Sequence, residues 1–186
     1  MLPTHVVMAR KEECRWRACR GFTLVELLVV VAVISVVAAI ATPGLLRSRI
    51  AGNEASAIGS LRAIIAAQQD FNVLSRGYAD DLATLGGTCP GGTAPFISPD
   101  LAANGIHKSG YLFGITTGLG AVAGPNDCFG NATYTSYYGT ATPLTVGSTG
   151  SRGFATNVAS AIWQDTSGTV PAEPFAMAGT VTPLGR

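Results

Sequence analysis

Hydrophobic and polar positions divide this chain into three stretches of different character. From Phe22 to Ala41 it reads FTLVELLVVVAVISVVAAIA, in which Glu26 is the sole ionisable side chain and Thr23 and Ser35 the other polar ones. A helix of twenty residues is about 30 Å long, the thickness of a bilayer's hydrocarbon core. The next stretch changes pattern: Leu46, Ile50, Ala57, Leu61, Ile64 and Phe71 fall on one helical stripe, with Arg47, Arg49, Arg62 and Asp70 mostly off it. This predicts an amphipathic helix whose apolar face packs on a sheet. Pro43-Gly44 lies between the two and weakens the helix backbone there. Ser75-Arg76-Gly77 ends the second helix, with Gly77 as the left-handed cap.

Beyond Tyr78 the pattern is that of strands. Tyr111–Ile115 and Tyr134–Thr140 are bounded by Gly, Pro and Asn turns, and Phe154–Thr156 and Ala161–Trp163 flank the short turn 157–160 as a hairpin. Three or four antiparallel strands are expected, with residues 79–105 a variable connection and Pro171 onward a loose tail. The fold class is α+β: one long amino-terminal helix laid on a small antiparallel sheet. No internal repeat or heptad series is evident.

Glu26 carries the sharpest chemical question. A carboxylate inside an apolar span costs roughly 3 kcal/mol on insertion scales, so it needs a partner. A cut after Gly21 would create an α-amino group on Phe22, one helical turn from Glu26. Here the residues carry a family resemblance. GFTLVELLVVVAVISVVAAIATPGLL, about residues 20 to 46, resembles the amino-terminal signature of type IV pilins and of the pseudopilins of type II secretion. The resemblance implies cleavage after Gly21 by a prepilin peptidase, N-methylation of Phe22, and Glu26 as the carboxylate that aligns an incoming subunit by neutralising a terminal amine. Pro43 sits where many family members have a helix-bending proline, and Gly44 follows it. The implied organisation is a leader over 1–21 that is removed, a membrane-spanning and filament-core helix over 22–43, an amphipathic helix over 44–76, and a globular β-sheet head over 77–186.

Two plainer readings compete. Ala39-Ile40-Ala41 offers a secretory cleavage site, but the apolar run is longer than the usual 7 to 15 residues and holds a carboxylate near its start. A simple single-span anchor leaves the cost of Glu26 unexplained. Arg10, Lys11, Arg15, Arg17 and Arg20 against Glu12 and Glu13 keep the leader in the cytoplasm and turn the rest outward. Met8 is an equally possible start.

With 12% charged residues and a net charge of +1, the chain has no basic field suited to nucleic acid. From Phe22 onward, seven Lys or Arg stand against nine Asp or Glu, a balance of −2. Cys14 and Cys19 fall in the leader, which leaves Cys89 and Cys128 to pair in an oxidising compartment. That disulfide would close a loop of about 40 residues and contribute roughly 4 kcal/mol in the chain-entropy model. In many type IV pilins a disulfide ties down the carboxy-terminal end, whereas here 58 residues follow Cys128.

Enzymatic chemistry is sparse. His5 leaves with the leader, and His107 alone cannot anchor a multi-histidine zinc site. His107, Ser109 and Asp100 lack the spacing of a triad, and His107 is expected as an exposed loop residue. Asn126, Asp127 and Asn131 could offer oxygen ligands, and some major pseudopilins bind calcium in a carboxy-terminal loop; Gly-Pro-Asn-Asp is also an ordinary turn. No other cofactor is expected. Asn131-Ala132-Thr133 matches a glycosylation acceptor. The expected protein is a non-enzymatic filament subunit that self-associates as a helical homopolymer. Its implied partners are the peptidase, an inner-membrane assembly platform with its ATPase, and an outer-membrane secretin. Its precursor lies in the inner membrane and its mature form in a periplasmic or extracellular filament. A type II secretion pseudopilin and a signal-anchored periplasmic binding protein are the alternatives.

Overall fold

A computed structural model describes residues 21–185. The leader readings at residues 1–20, including Cys14, Cys19 and Met8, lie outside the described residues. The chain forms two compact units that divide between Thr42 and Pro43. Helix α1 (Leu24–Ser75) runs unbroken through Pro43-Gly44, where a weakening of the helix was expected. Proline lacks an N–H, so the Ala39 carbonyl loses its usual helical partner.

In the second unit, the buried face of α1 is Glu54, Ala57, Ser60, Leu61, Ile64, Ile65, Ala67, Gln68, Phe71 and Ser75. The core face therefore begins later than the sequence stripe: Leu46 is exposed and Ile50 only half-buried. Its cover is a six-stranded antiparallel sheet in the order β1-β2-β5-β6-β7-β8, formed by β1 (Ile106–Lys108), β2 (Tyr111–Thr117), β5 (Tyr137–Pro143), β6 (Gly153–Asn157), β7 (Ile162–Asp165) and β8 (Val181–Pro183). β5 alternates throughout and β2 over its first five residues, burying Tyr111, Phe113 and Ile115 opposite Pro143, Ala141 and Gly139. Period-two burial of this kind fixes register, because a slip of one residue would turn the aromatic set to solvent.

The region expected as strand 134–140 splits. Its start belongs to a separate hairpin of β3 (Ala123–Asn126) and β4 (Ala132–Tyr134), and the rest belongs to β5. Residues 79–105 are not a loose connection. They contain helix α2 (Leu82–Gly86), capped by the Asp81 carboxylate accepting from the Ala83 N–H at 2.9 Å, and a 3-10 turn at Pro99–Leu101. Leu82, Leu85, Ile97 and Leu101 from this region are core residues.

Nor is the chain after Pro171 a loose tail. It crosses the outer face of the sheet, where the Tyr138 hydroxyl donates to the Pro171 carbonyl at 2.6 Å and Phe175 stacks on Trp163 at 5.5 Å. Glu173 accepts from the Asn157 amide and the Leu119 N–H, both at 2.7 Å, and the chain returns as edge strand β8. These contacts join residues far apart in sequence, so no local pattern announces them.

The cap of α1 also differs from expectation. Arg76, not Gly77, takes the left-handed conformation, with φ of 56°. Gly77 is required for proximity: a Cβ there would lie 2.2 Å from the Thr133 hydroxyl. The adjacent Tyr78 exchanges both backbone hydrogen bonds with Tyr134, so the chain leaving α1 is pinned to the β3–β4 hairpin.

Candidate functional site

The first unit is the start of α1, and its geometry follows from composition. Leu24 to Thr42 contains no Gly or Pro to interrupt the helix. Thr23 begins it as the N-cap: its hydroxyl oxygen accepts from the Glu26 N–H at 3.2 Å, and its hydroxyl donates to the Glu26 carboxylate at 3.5 Å. This cap was missed in the sequence reading, although a Thr just before the apolar run is its signature. The carboxylate thus sits in the first turn, where the helix dipole favours a negative charge. The same turn adjoins Phe22, so an amine created there by cleavage would meet a carboxylate already held at the helix end.

The remaining polar side chains of the stretch are satisfied within the helix. Ser35 donates to the Val31 carbonyl and Thr42 to the Ala38 carbonyl, each at 2.7 Å. Around them the surface is apolar on every side. The stretch is long and apolar enough to cross a membrane, and its most apolar part is wholly unburied by the described chain. Phe22 and Leu24 are about three-quarters exposed, and Ile40 at the other end equally so. A surface this large does not stay bare in water; it requires lipid or other helices.

In the second unit, Cys89 and Cys128 form a disulfide with a Cα separation of 5.5 Å, joining the segment after α2 to the turn between β3 and β4. Asp127 organises that turn, its Oδ1 accepting from the N–H groups of Phe129 and Asn131 at 2.9 and 2.8 Å. One carboxylate oxygen of the calcium candidate is therefore spent on backbone. Among the described residues, no group of three or more His, Cys, Asp or Glu side chains gathers. In the glycosylation-like triplet, Thr133 is buried and donates to the Pro125 carbonyl at 2.7 Å.

The imagined triad is dispersed. Asp100 pairs with Lys108 at 2.6 Å, Ser109 bonds the Ser56 hydroxyl at 2.9 Å, and His107 is exposed on β1, a strand rather than a loop. Lys108 holds the Asp100 carboxyl below its ordinary pKa. A groove of about 750 Å³ between α1 and β7, lined by Ile65, Ile162, Trp163 and Leu184 among others, has Arg62 as its one ionisable lining residue among the described residues.

The exposed, capped, apolar helix is the feature that comparison with known proteins addresses. A family model described as the prokaryotic N-terminal methylation motif matches residues 16–42. The match covers 27 of the chain's 186 residues. Two curated proteins are similar over about a third of the chain. The type IV major pilin protein PilA of Myxococcus xanthus is 39% identical over 61 residues, which are 33% of this chain and 28% of that protein. The type IV wide pilus major component PilA4 of Thermus thermophilus is 33% identical over 69 residues, 37% of this chain and 53% of that protein. The matches thus span about half or less of these relatives. No solved structure matches. The pilin resemblance seen in the motif is accordingly borne out, and the architecture of a long apolar helix with an antiparallel sheet agrees with it.

Proposed function

We propose that this protein is a non-enzymatic structural subunit of a type IV pilus-like filament. The observation that carries the reading is the coincidence of the methylation motif with a helix whose apolar surface the described chain leaves bare. In this reading the span holds the precursor in the inner membrane with the head outside. A prepilin peptidase cuts between Gly21 and Phe22 and methylates the Phe22 amine. Subunits then exchange lipid for one another's helices, and the Glu26 carboxylate of one faces the Phe22 amine of a neighbour. A mismatch in axial register leaves both charges unpaired in apolar surroundings, which costs several kcal/mol and selects the correct stagger. Because the helix is soluble in lipid, extraction needs work from a separate assembly platform with an ATPase, and export of the filament needs an outer-membrane secretin.

The test is to shear intact cells, separate released filaments from the envelope, and determine the terminus of this chain in each fraction by mass spectrometry. Methylated Phe22 in the sheared filaments, and its loss from that fraction in Glu26→Ala, are the expected results. Methylated Phe22 confined to the envelope would instead favour a type II secretion pseudopilin. A chain that keeps its leader, or begins at Thr42, would refute the filament reading.

A further inference from the structure

We propose that Arg47 and Arg49 form a binding site for the phosphate groups of anionic phospholipids in the leaflet at the carboxy-terminal end of the span. The inference rests on the reading of α1 as membrane-spanning and adds a ligand to it. Position is the first argument. Arg47 and Arg49 are the first ionisable side chains after the apolar run that ends at Ala41, six and eight residues beyond it. With that run filling the hydrocarbon core, they are the first cations beyond it, and long arginine stems can turn their guanidiniums toward the phosphates while the stems stay on apolar surface.

Direction is the second argument. Two residues apart on a helix means about 200° of rotation, so Arg47 and Arg49 leave from opposite sides. Both are exposed. A protein partner docks on one face of a helix, whereas lipid surrounds it, and two cations on opposite sides suit the second case.

Charge is the third. The sequence has no Asp or Glu between Glu26 and Glu54, and Glu54 is held by Arg152. Among the described residues neither Arg47 nor Arg49 makes a salt bridge. An arginine fork matches a phosphate with two parallel hydrogen bonds, and the anionic headgroup supplies the missing counter-charge.

The experiment reconstitutes the full chain into nanodiscs containing equal amounts of phosphatidylglycerol and phosphatidylcholine, and counts the lipids that stay bound by native mass spectrometry. The wild-type chain should retain phosphatidylglycerol in preference, by about five-fold per guanidinium. Arg47→Gln/Arg49→Gln should lose that preference. Arg62→Gln, an exposed position on the same helix thirteen residues beyond Arg49, should keep it. Equal retention of both lipids by the wild type, an unchanged preference in the double variant, or an equal loss in Arg62→Gln would overturn the proposal. Alkaline carbonate washing of vesicles carrying the same chain separates the two readings. A chain that washes off refutes the span and this site together, and a chain that stays inserted without lipid preference refutes this site alone.

Discussion

Substituting Glu54 by Gln should cost the head about 2 kcal/mol, and the structure explains why it is neither less nor more. Glu54 projects from α1 and is only 5% exposed. Its carboxylate accepts from the Ser151 N–H at 2.9 Å, the Ser151 hydroxyl at 2.7 Å and the Arg152 Nε at 2.9 Å, with a further bond from an Arg152 terminal nitrogen. Removing one partner of a fully buried pair typically costs about 3 to 5 kcal/mol, and of a surface pair under about 1. Arg152 is one-third exposed, also bonds Gln164 and lies over the Phe154 ring, so it can recover water when Glu54 is neutralised. The expectation therefore falls between the two limits. For a domain of this size, 2 kcal/mol lowers Tm by about 6 °C.

Circular dichroism melts of the detergent-solubilised chain measure this, and a double-mutant cycle with Arg152→Met should return most of it as coupling. The pH dependence is a second check. Burial raises the Glu54 pKa, but the bonds from Arg152 and Ser151 outweigh it and hold the group below its ordinary value of 4.5. A depressed folded pKa means stability that is full above the unfolded value and lost as pH falls through the folded one. The gap between wild type and Glu54→Gln should thus be constant from pH 8 to about 5.5 and shrink below about 4.5. A gap under about 0.5 kcal/mol at pH 7, or one indifferent to acid, would refute the clamp.

Three further outcomes are expected. Gly77→Ala should destabilise the head by about 1 to 3 kcal/mol through overpacking, and Thr133→Ala should rescue it in calorimetry, since the Thr133 side chain occupies the space a Cβ needs. Replacing Cys89 and Cys128 together by Ser should cost roughly 4 kcal/mol in denaturant titration, in line with a sequence separation of 39 residues. Tyr137→Phe should be neutral or stabilising by up to about 1 kcal/mol in the same titration, because among the described residues that buried hydroxyl has no hydrogen-bond partner of good geometry; a clear loss would show that it has one.

How much of this was legible in the sequence follows the range of the forces involved. The apolar half of α1, the alternation that builds β2, and the β6–β7 hairpin depend on near neighbours, and periodicity revealed them. β1 and β8 have three residues each and exist only because a longer strand offers them hydrogen bonds. The clamp joins Glu54 to Arg152 across 98 positions, and nothing local marks either as its partner. Gly77 is intermediate: the turn was visible, but its need for glycine comes from Thr133, far along the chain. At the amino terminus the missed feature was local after all, since the Thr23 cap on the Glu26 N–H spans three positions and was overshadowed by the question of what a buried carboxylate faces.

The inward-turned hydroxyls of Ser35 and Thr42 have one last consequence. Each bonds a carbonyl of its own helix, so the side chains between Glu26 and Pro43 ask nothing polar of their surroundings. Moving them from fatty chains to a sheath of like helices breaks no side-chain hydrogen bond and makes none. In the proposed filament such a rod meets no polar side chain of its own that would arrest it part-way. Its stopping points then lie at the ends, with Glu26 at one and, on the lipid-site proposal, Arg47 and Arg49 at the other, and a change at either end should shift where the helix comes to rest more than any apolar swap between them.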